Sequence, residues 1–172
     1  MNIGITQRIL TYNNVNYDCL SSNWYTYLNK HTLWVIPNRL DQDFNRLSLS
    51  LDVLIISGGD NHPIRDQVEV TLTQLMHSLN KPIIGICHGL QFLTEYFGGS
   101  IAPVDNHRNI KHTVTYNTEV EVNSYHSNKI VKLPDGAISL AHDKDGNCEA
   151  WIMKNICGVM WHPERDLSLI HI

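Results

Sequence analysis

Apolar positions in the first hundred residues form short unbroken runs that alternate with helical stripes. The runs are typical of parallel strands covered on both faces, and they span residues 3–6, 33–36, 53–56 and 83–86. Helical spacing between the runs predicts one stripe of Leu20, Trp24, Tyr27 and Leu28, and a second of Val68, Leu72, Leu75, Met76 and Leu79 that follows Pro63. A short helix over 88–97 is expected to end at two glycines. We expect the second stripe, Trp24 and Trp34 to be core.

The pattern changes after about residue 100 to the alternation of half-exposed strands. Val114, Tyr116, Val120 and Val122 alternate with polar residues, and strand-like runs follow at 137–140, 150–153 and 156–160. Strand–helix alternation followed by mixed strands predicts an α/β class. The expected architecture is a mostly parallel central sheet with helices on both faces and a small antiparallel extension, in one domain over residues 1–172.

Composition and charge narrow the function classes. Thirteen Lys and Arg face seventeen Asp and Glu with no basic block, which argues against a nucleic-acid partner. No apolar run approaches the roughly 20 residues of a membrane span, and the first residues lack the apolar core of a signal peptide. The four cysteines form no CxxC pair, so we expect reduced thiols, no zinc site of that type and a cytoplasmic protein.

Cys87 is the first candidate for chemistry. It lies between Gly85 and Gly89, where the buried run 83–86 passes into a predicted helix. This G-x-C-x-G pattern is that of a nucleophile elbow, in which a sharp strand-to-helix turn exposes the nucleophile at the carboxyl end of the sheet. A helix N-terminus also favours thiolate. The alternative is a small buried cysteine in a tight turn.

A base and an orienting carboxylate follow at the end of the last predicted strand. His162 and Glu164 are two residues apart, and on an extended chain they would point to the same side. Glu164 could then fix the tautomer of His162 and direct its other nitrogen to a thiol. Gly58, Gly59 and the backbone N–H of His88 are placed to offer hydrogen bonds to an oxyanion.

These pieces together resemble the class I glutamine amidotransferase superfamily, which has a Cys-His-Glu triad and a flavodoxin-like three-layer fold. The motifs are SGGD at 57–60, GICHGLQ at 85–91, NSYH at 123–126 and WHPE at 161–164, and the resemblance covers most of the chain. It implies Cys87 as nucleophile, His162 as base and Glu164 as orienting group, with oxyanion donors at Gly59 and His88. It also implies substrate contacts, which are Gly58, Gln91, Asn123, Ser124, Tyr125 and His126.

The resemblance is strongest to the γ-glutamyl hydrolase-like branch, and within it to the γ-glutamyl-CDP-amidate hydrolases of bacterial capsule biosynthesis. It implies hydrolysis through a γ-glutamyl thioester that releases glutamate and cytidine diphosphoramidate. An anionic nucleotide would need positive charge at the mouth of the site, for which the candidates are Arg8, Arg108, Lys111 and Lys129, with His107, His112 and His126 as hydrogen-bond donors. Many hydrolases of this branch have Arg after the nucleophile, whereas this chain has His88.

The sequence is also compatible with two other functions. One is a glutaminase subunit that delivers ammonia to a synthase partner, and the other is a catalytically inactive binding module. The mechanism needs no cofactor, and His107 and His112 in a loop-like stretch are not expected to hold a metal. Only eight residues follow Glu164, so the C-terminal helix usual in the superfamily is expected to be short or truncated. Apolar residues in this segment would favour a homodimer.

Overall fold

The computed structural model describes residues 1–166 and contains thirteen strands and four α-helices among them. The strands are β1 Asn2–Thr6, β2 Arg8–Tyr12, β3 Val15–Cys19, β4 Thr32–Ile36, β5 Val53–Ile56, β6 Ile83–Ile86, β7 Ser100–Pro103, β8 Arg108–Tyr116, β9 Thr118–Tyr125, β10 Asn128–Lys132, β11 Ile138–Asp143, β12 Cys148–Met153 and β13 Ile156–Val159. The helices are α1 Asn23–Tyr27, α2 Phe44–Ser50, α3 Pro63–Ser78 and α4 His88–Tyr96. A 3₁₀ helix, Pro163–Arg165, follows β13.

The main sheet has a parallel half and an antiparallel half. Its parallel half runs in the order β4-β1-β5-β6-β13, and β12, β11, β8 and β9 continue it with antiparallel pairing. Strand β10 pairs with β12 and β7 outside this path. Because β5, β6 and β13 are parallel neighbours, the loops after them meet at one edge of the sheet, which is the usual place for a ligand.

Helices cover both faces of the parallel strands. Leu54 and Ile56 of β5 belong to a core cluster with α3 and α4, whereas Ile55 packs with Trp24 on the opposite face. This is the alternation expected when successive residues of a strand point to opposite faces. Within the described part of the chain no helix is both long and apolar enough to cross a membrane.

Several local expectations need correction. Trp34 is 42% exposed because β4 is the edge strand of the sheet, and Leu79 is 38% exposed because α3 ends at the residue before it. The stripe that begins at Leu20 gives only the short helix α1, which starts at Asn23. The expected short C-terminal helix and the self-association through it fall on residues 167–172, outside the described residues.

The hairpin β2–β3 and the helix α2 are among the elements that the sequence pattern did not predict. Strands β2 and β3 form a separate hairpin whose turn residues, Asn13 and Asn14, both have positive φ, at 49° and 60°. Asn tolerates this conformation, which two-residue hairpin turns require. Helix α2 starts after Asp43, whose side chain accepts a hydrogen bond from the Arg46 backbone N–H at 3.0 Å.

Candidate active site

Cys87 stands at a strained turn between β6 and α4. Its φ is 52° and its ψ −105°, a conformation that L-residues rarely adopt and that is typical of strain held at functional sites. Glycines on both sides permit the close packing that the turn needs. A Cβ at Gly85 would lie 2.6 Å from the Leu90 backbone nitrogen, and one at Gly89 would lie 2.0 Å from the Ile56 carbonyl oxygen. The structure therefore shows the elbow geometry that the spacing predicts.

Sheet register brings the chain of His162 to the same edge. Ile86 of β6 is the partner of Val159 in β13, and the Cys87 backbone N–H donates to the Val159 carbonyl at 2.8 Å. His162 follows three residues after Val159. The residues that leave β6 and β13 therefore do so side by side, so the elbow and the His162 segment share one edge of the sheet.

Glu164 fixes the ring of His162. The Nδ1 atom of His162 lies 2.8 Å from Oε1 of Glu164, and both side chains are buried. A carboxylate only accepts, so Nδ1 carries the proton and Nε2 is left free to accept one. The expected extended conformation is wrong in detail, because Glu164 lies in the 3₁₀ helix Pro163–Arg165, and this tight turn brings its carboxylate back to the imidazole.

The Ser57–Asp60 loop after β5 passes directly against this imidazole. A Cβ at Gly58 would lie 2.3 Å from Cε1 of His162 and 3.1 Å from its Nε2. No side chain fits between the loop and the ring, which explains a glycine at this position. Gly59 has a φ of +145°, a conformation rare for other residues.

Burial keeps the thiol of Cys87 protonated. Desolvation raises its pKa to about 12, and the nearby charges of Glu164 and Glu149 act in the same direction. The backbone hydrogen bond from His88 and the charge of Arg165 lower the pKa but do not outweigh burial. Burial therefore opposes the thiolate that a helix N-terminus favours. The proton must leave when the thiol attacks, and a free imidazole nitrogen is the group that can take it.

The side chain of Asn123 in β9 holds the backbone of His162 in place. Its Nδ2 donates to the His162 carbonyl at 2.8 Å, and its Oδ1 accepts from the His162 backbone N–H at 2.9 Å. Both ends of the side-chain amide are therefore occupied by the backbone of one residue. This placement differs from the predicted role of Asn123 as a substrate contact, because both ends of its amide are bonded to the backbone of His162.

A buried ion pair supports the loop that carries Gly58 and Gly59. Arg65 is fully buried in α3, and its Nη2 donates to the Ser57 carbonyl at 2.6 Å while its Nε donates to Oε1 of Glu69 at 2.8 Å. Burial alone would raise the pKa of Glu69, but a hydrogen bond from His88 and the charge of Arg65 lower it. Sequence reasoning missed this pair, although its spacing of four residues on the apolar side of a helix was a signal.

The space in front of His162 is lined by positively charged side chains. Arg8 and Arg165 line it together with Gly58, Trp24 and Glu164. The Cβ of Arg8 would lie 2.8 Å from a Cβ at Gly59, so β2 brings this arginine next to the loop. Arg165, which sequence reasoning also missed, stacks its guanidinium 4.3 Å from the centre of the Tyr125 ring.

Four other predicted substrate contacts lie in different surroundings. Tyr125 packs edge-on against His162, with ring centres 5.6 Å apart. Gln91 is buried one turn along α4 from Cys87, and its Oε1 accepts from Asn128 at 3.0 Å. Lys111 is exposed on the hairpin β8–β9 and forms ion pairs with Glu121 and Asp166 at 3.2 and 3.8 Å. Ser124 donates to the His107 carbonyl.

His107, His112 and His126 form a second cluster with Asp143 and Glu149. The ring centre of His107 is 5.1 Å from those of both other histidines. His112 lies in strand β8, and not in a loop as the sequence indicated, so strand pairing brings these side chains together. The structure therefore places His107 and His126 in this cluster, separate from the cavity that contains His162.

Comparisons with known proteins agree with this geometry. Residues 15–170 match the family model described as glutamine amidotransferase class-I. The gamma-glutamyl-CDP-amidate hydrolase of Campylobacter jejuni is 32% identical over all of this chain and 94% of its own length. A GMP synthase (glutamine-hydrolyzing) of Macrococcus caseolyticus is 29% identical over 64% of this chain, but the match covers only 24% of that enzyme.

A solved structure confirms the fold class. The crystal structure of a glutamine amidotransferase from Thermotoga maritima superposes with a TM-score of 0.73 and covers 95% of this chain and 76% of its own. Its sequence is only 14% identical, so the likeness is one of architecture.

Proposed function

The chain belongs to the class I glutamine amidotransferase family and is an amide-bond hydrolase, and from that premise we propose that it cleaves γ-glutamyl-CDP-amidate to glutamate and cytidine diphosphoramidate. Cys87 is the nucleophile, His162 the base and Glu164 the group that orients it. The observation that carries the assignment is the junction of β6 and β13, where a strained cysteine leaves the sheet beside a histidine whose tautomer a carboxylate sets.

The reaction proceeds in two halves. His162 takes the thiol proton at Nε2 as sulfur attacks the γ-carbonyl carbon, and the oxyanion accepts hydrogen bonds from the backbone N–H groups of Gly59 and His88. The same imidazole then gives its proton to the departing nitrogen, leaving a γ-glutamyl thioester on Cys87. Water, activated by His162, hydrolyses the thioester and restores the free thiol.

The nucleotide substrate is supported by two features. The Campylobacter hydrolase matches the chain from end to end, whereas the GMP synthase match covers a small part of that larger enzyme. Arg8 and Arg165 also line the space in front of His162, where they can pair with phosphate oxygens of a leaving nucleotide. A role in capsule modification follows from this substrate.

Glutamate release by the purified chain tests the proposal, with glutamine and γ-glutamyl-CDP-amidate supplied in parallel. We expect rapid release from the nucleotide amide, little from glutamine, and none in Cys87→Ala. Cys157→Ala is the matched control, since this thiol lies in β13 and takes no part in the proposed reaction. Equal or faster glutamate release from glutamine would refute the proposed nucleotide substrate but would be consistent with the catalytic triad.

The second candidate is a glutaminase subunit that supplies ammonia to a synthase. The GMP synthase match favours it, because that enzyme's name states glutamine hydrolysis. It predicts negligible turnover of either substrate by the chain alone and strong stimulation of glutamine hydrolysis by a partner. Activity of the isolated chain on γ-glutamyl-CDP-amidate therefore separates the two candidates.

A further inference from the structure

Three buried atoms converge without hydrogen-bond partners in the described part of the chain. They are Nε2 of His112, Nε2 of His126 and Oε2 of Glu149, contributed by β8, the end of β9 and β12. Oε2 of Glu149 lies 3.6 Å from Nε2 of His112 and 3.5 Å from Nε2 of His126. Buried polar atoms in native proteins are almost always paired, so this cluster needs an explanation.

The tautomer of His126 makes the lack of a hydrogen-bond partner at its Nε2 atom harder to explain. Its Nδ1 lies 2.8 Å from the Asn128 carbonyl oxygen, which can only accept, so Nδ1 carries a proton. Nε2 of the neutral ring is then a lone pair that faces a carboxylate oxygen. Two acceptors then face each other in a buried site where His126 is 3% and Glu149 1% exposed, an arrangement that is costly unless a proton or a metal cation lies between them.

The geometry points to a divalent transition-metal site, with zinc as the best match, held by His112, His126 and Glu149. Two imidazole nitrogens and one carboxylate oxygen are a ligand set used by zinc, which commonly keeps a fourth position for water. Zinc–nitrogen distances of about 2.0–2.1 Å place neighbouring ligands of a tetrahedron about 3.3–3.4 Å apart. The observed separations of 3.5 and 3.6 Å are close to that value.

The surroundings fit such a site. The Nδ1 hydrogen bond of His126 is the usual way in which a protein orients a metal-binding imidazole. Further metal-binding groups lie beside it, because donor atoms of His107, His112, Asp143 and Glu149 are within 4.8 Å of one another, although His107 and Asp143 are hydrogen-bonded to each other at 2.9 Å. A cleft reaches His112 from the surface. Four acidic residues and two lysines line it, so acidic residues predominate in its walls; they are Asp105, Glu119, Asp143, Asp145, Lys111 and Lys144.

Zinc titration of the full chain, stripped with a chelator and dialysed, tests the site without reference to catalysis. We expect the wild-type chain to bind one equivalent of zinc and its melting temperature to rise. Glu149→Gln and His112→Gln each remove one ligand and should weaken binding by at least roughly 100-fold, since even residues that only orient metal ligands contribute 10–100-fold. His112 has a partly exposed side chain, so His112→Gln keeps the test valid if Glu149→Gln does not fold.

Two controls identify the ligands. His31→Gln changes an exposed histidine and should bind zinc as the wild type does. Cys87→Ala should also bind normally, and the cobalt-substituted chain should show d–d absorption without a thiolate charge-transfer band. Absence of binding by the wild type, or equal binding by both ligand variants, would overturn the site. Because the readouts are stoichiometry and spectra, failure here leaves the proposed hydrolase unaffected.

Discussion

Asn123→Ala is the perturbation that separates positioning of His162 from substrate contact. The amide of Asn123 is the partner of both the N–H and the C=O of His162, at 2.9 and 2.8 Å, and all these groups are buried. Alanine removes both hydrogen bonds and leaves two buried backbone groups unpaired. At about 1–3 kcal/mol for each of the two unpaired groups, the free energy of unfolding should fall by about 2–6 kcal/mol.

The catalytic effect should appear in kcat. If the His162 backbone shifts by about 1 Å, turnover should fall roughly 100-fold, since small misplacements of a catalytic group carry that cost. KM should change little, because both ends of the Asn123 amide are already bonded to the His162 backbone. A substrate contact would show the opposite split, with KM raised and stability nearly unchanged.

Urea unfolding followed by circular dichroism gives the stability, and glutamate release gives the kinetics. Asn45→Ala is the matched control, because this asparagine is exposed in α2 and its loss should change the free energy of unfolding by less than about 0.5 kcal/mol. A stability loss below about 1 kcal/mol in Asn123→Ala, together with an unchanged kcat, would refute the positioning role.

Three further changes test the support of the site. Glu69 has a lowered pKa in the folded chain, so its charge stabilises the fold above its unfolded-state pKa and this contribution is lost as pH falls through the folded one. Glu69→Gln should therefore cost about 3–5 kcal/mol at pH 7, and the deficit measured by urea unfolding should shrink below about pH 4; a deficit independent of pH would contradict this. Gly58→Ala places a methyl group 2.3 Å from Cε1 of His162, so kcat should fall roughly 100-fold, whereas an unchanged kcat would show that the ring is free to move. Arg8→Met should raise the KM for γ-glutamyl-CDP-amidate roughly tenfold or more without a matching change for glutamine, and equal effects on both substrates would assign Arg8 to the glutamyl group.

The parts of the fold that depend on local signals could be predicted from the sequence. Unbroken apolar runs predicted β5 and β6, and the glycines around Cys87 predicted the elbow, because both features depend on residues that are neighbours in the chain. The β2–β3 hairpin was missed, although Asn13 and Asn14 carry the signal for its turn. Two adjacent asparagines indicate a hairpin turn only when the residues on either side of them are recognised as two strands.

The long-range arrangements could not be predicted. The role of Asn123 depends on a partner 39 residues away, and the Thr6–Glu69 hydrogen bond spans 63 residues. The histidine cluster depends on the pairing of β8 with β9 and of β11 with both β8 and β12. Periodicity assigns each strand but not its neighbours, so side chains that only the register brings together carry no signature along the chain.

Acid-quench mass spectrometry of the chain mixed with γ-glutamyl-CDP-amidate would show whether Cys87 is the nucleophile. We expect a transient γ-glutamyl adduct on the peptide that contains Cys87, formed before glutamate is released and absent in Cys87→Ala. His162→Ala should show no adduct within the time in which the wild type turns over, because the thiol then has no base. Steady glutamate release without an adduct, undiminished in Cys87→Ala, would contradict the assignment of this cysteine as the nucleophile.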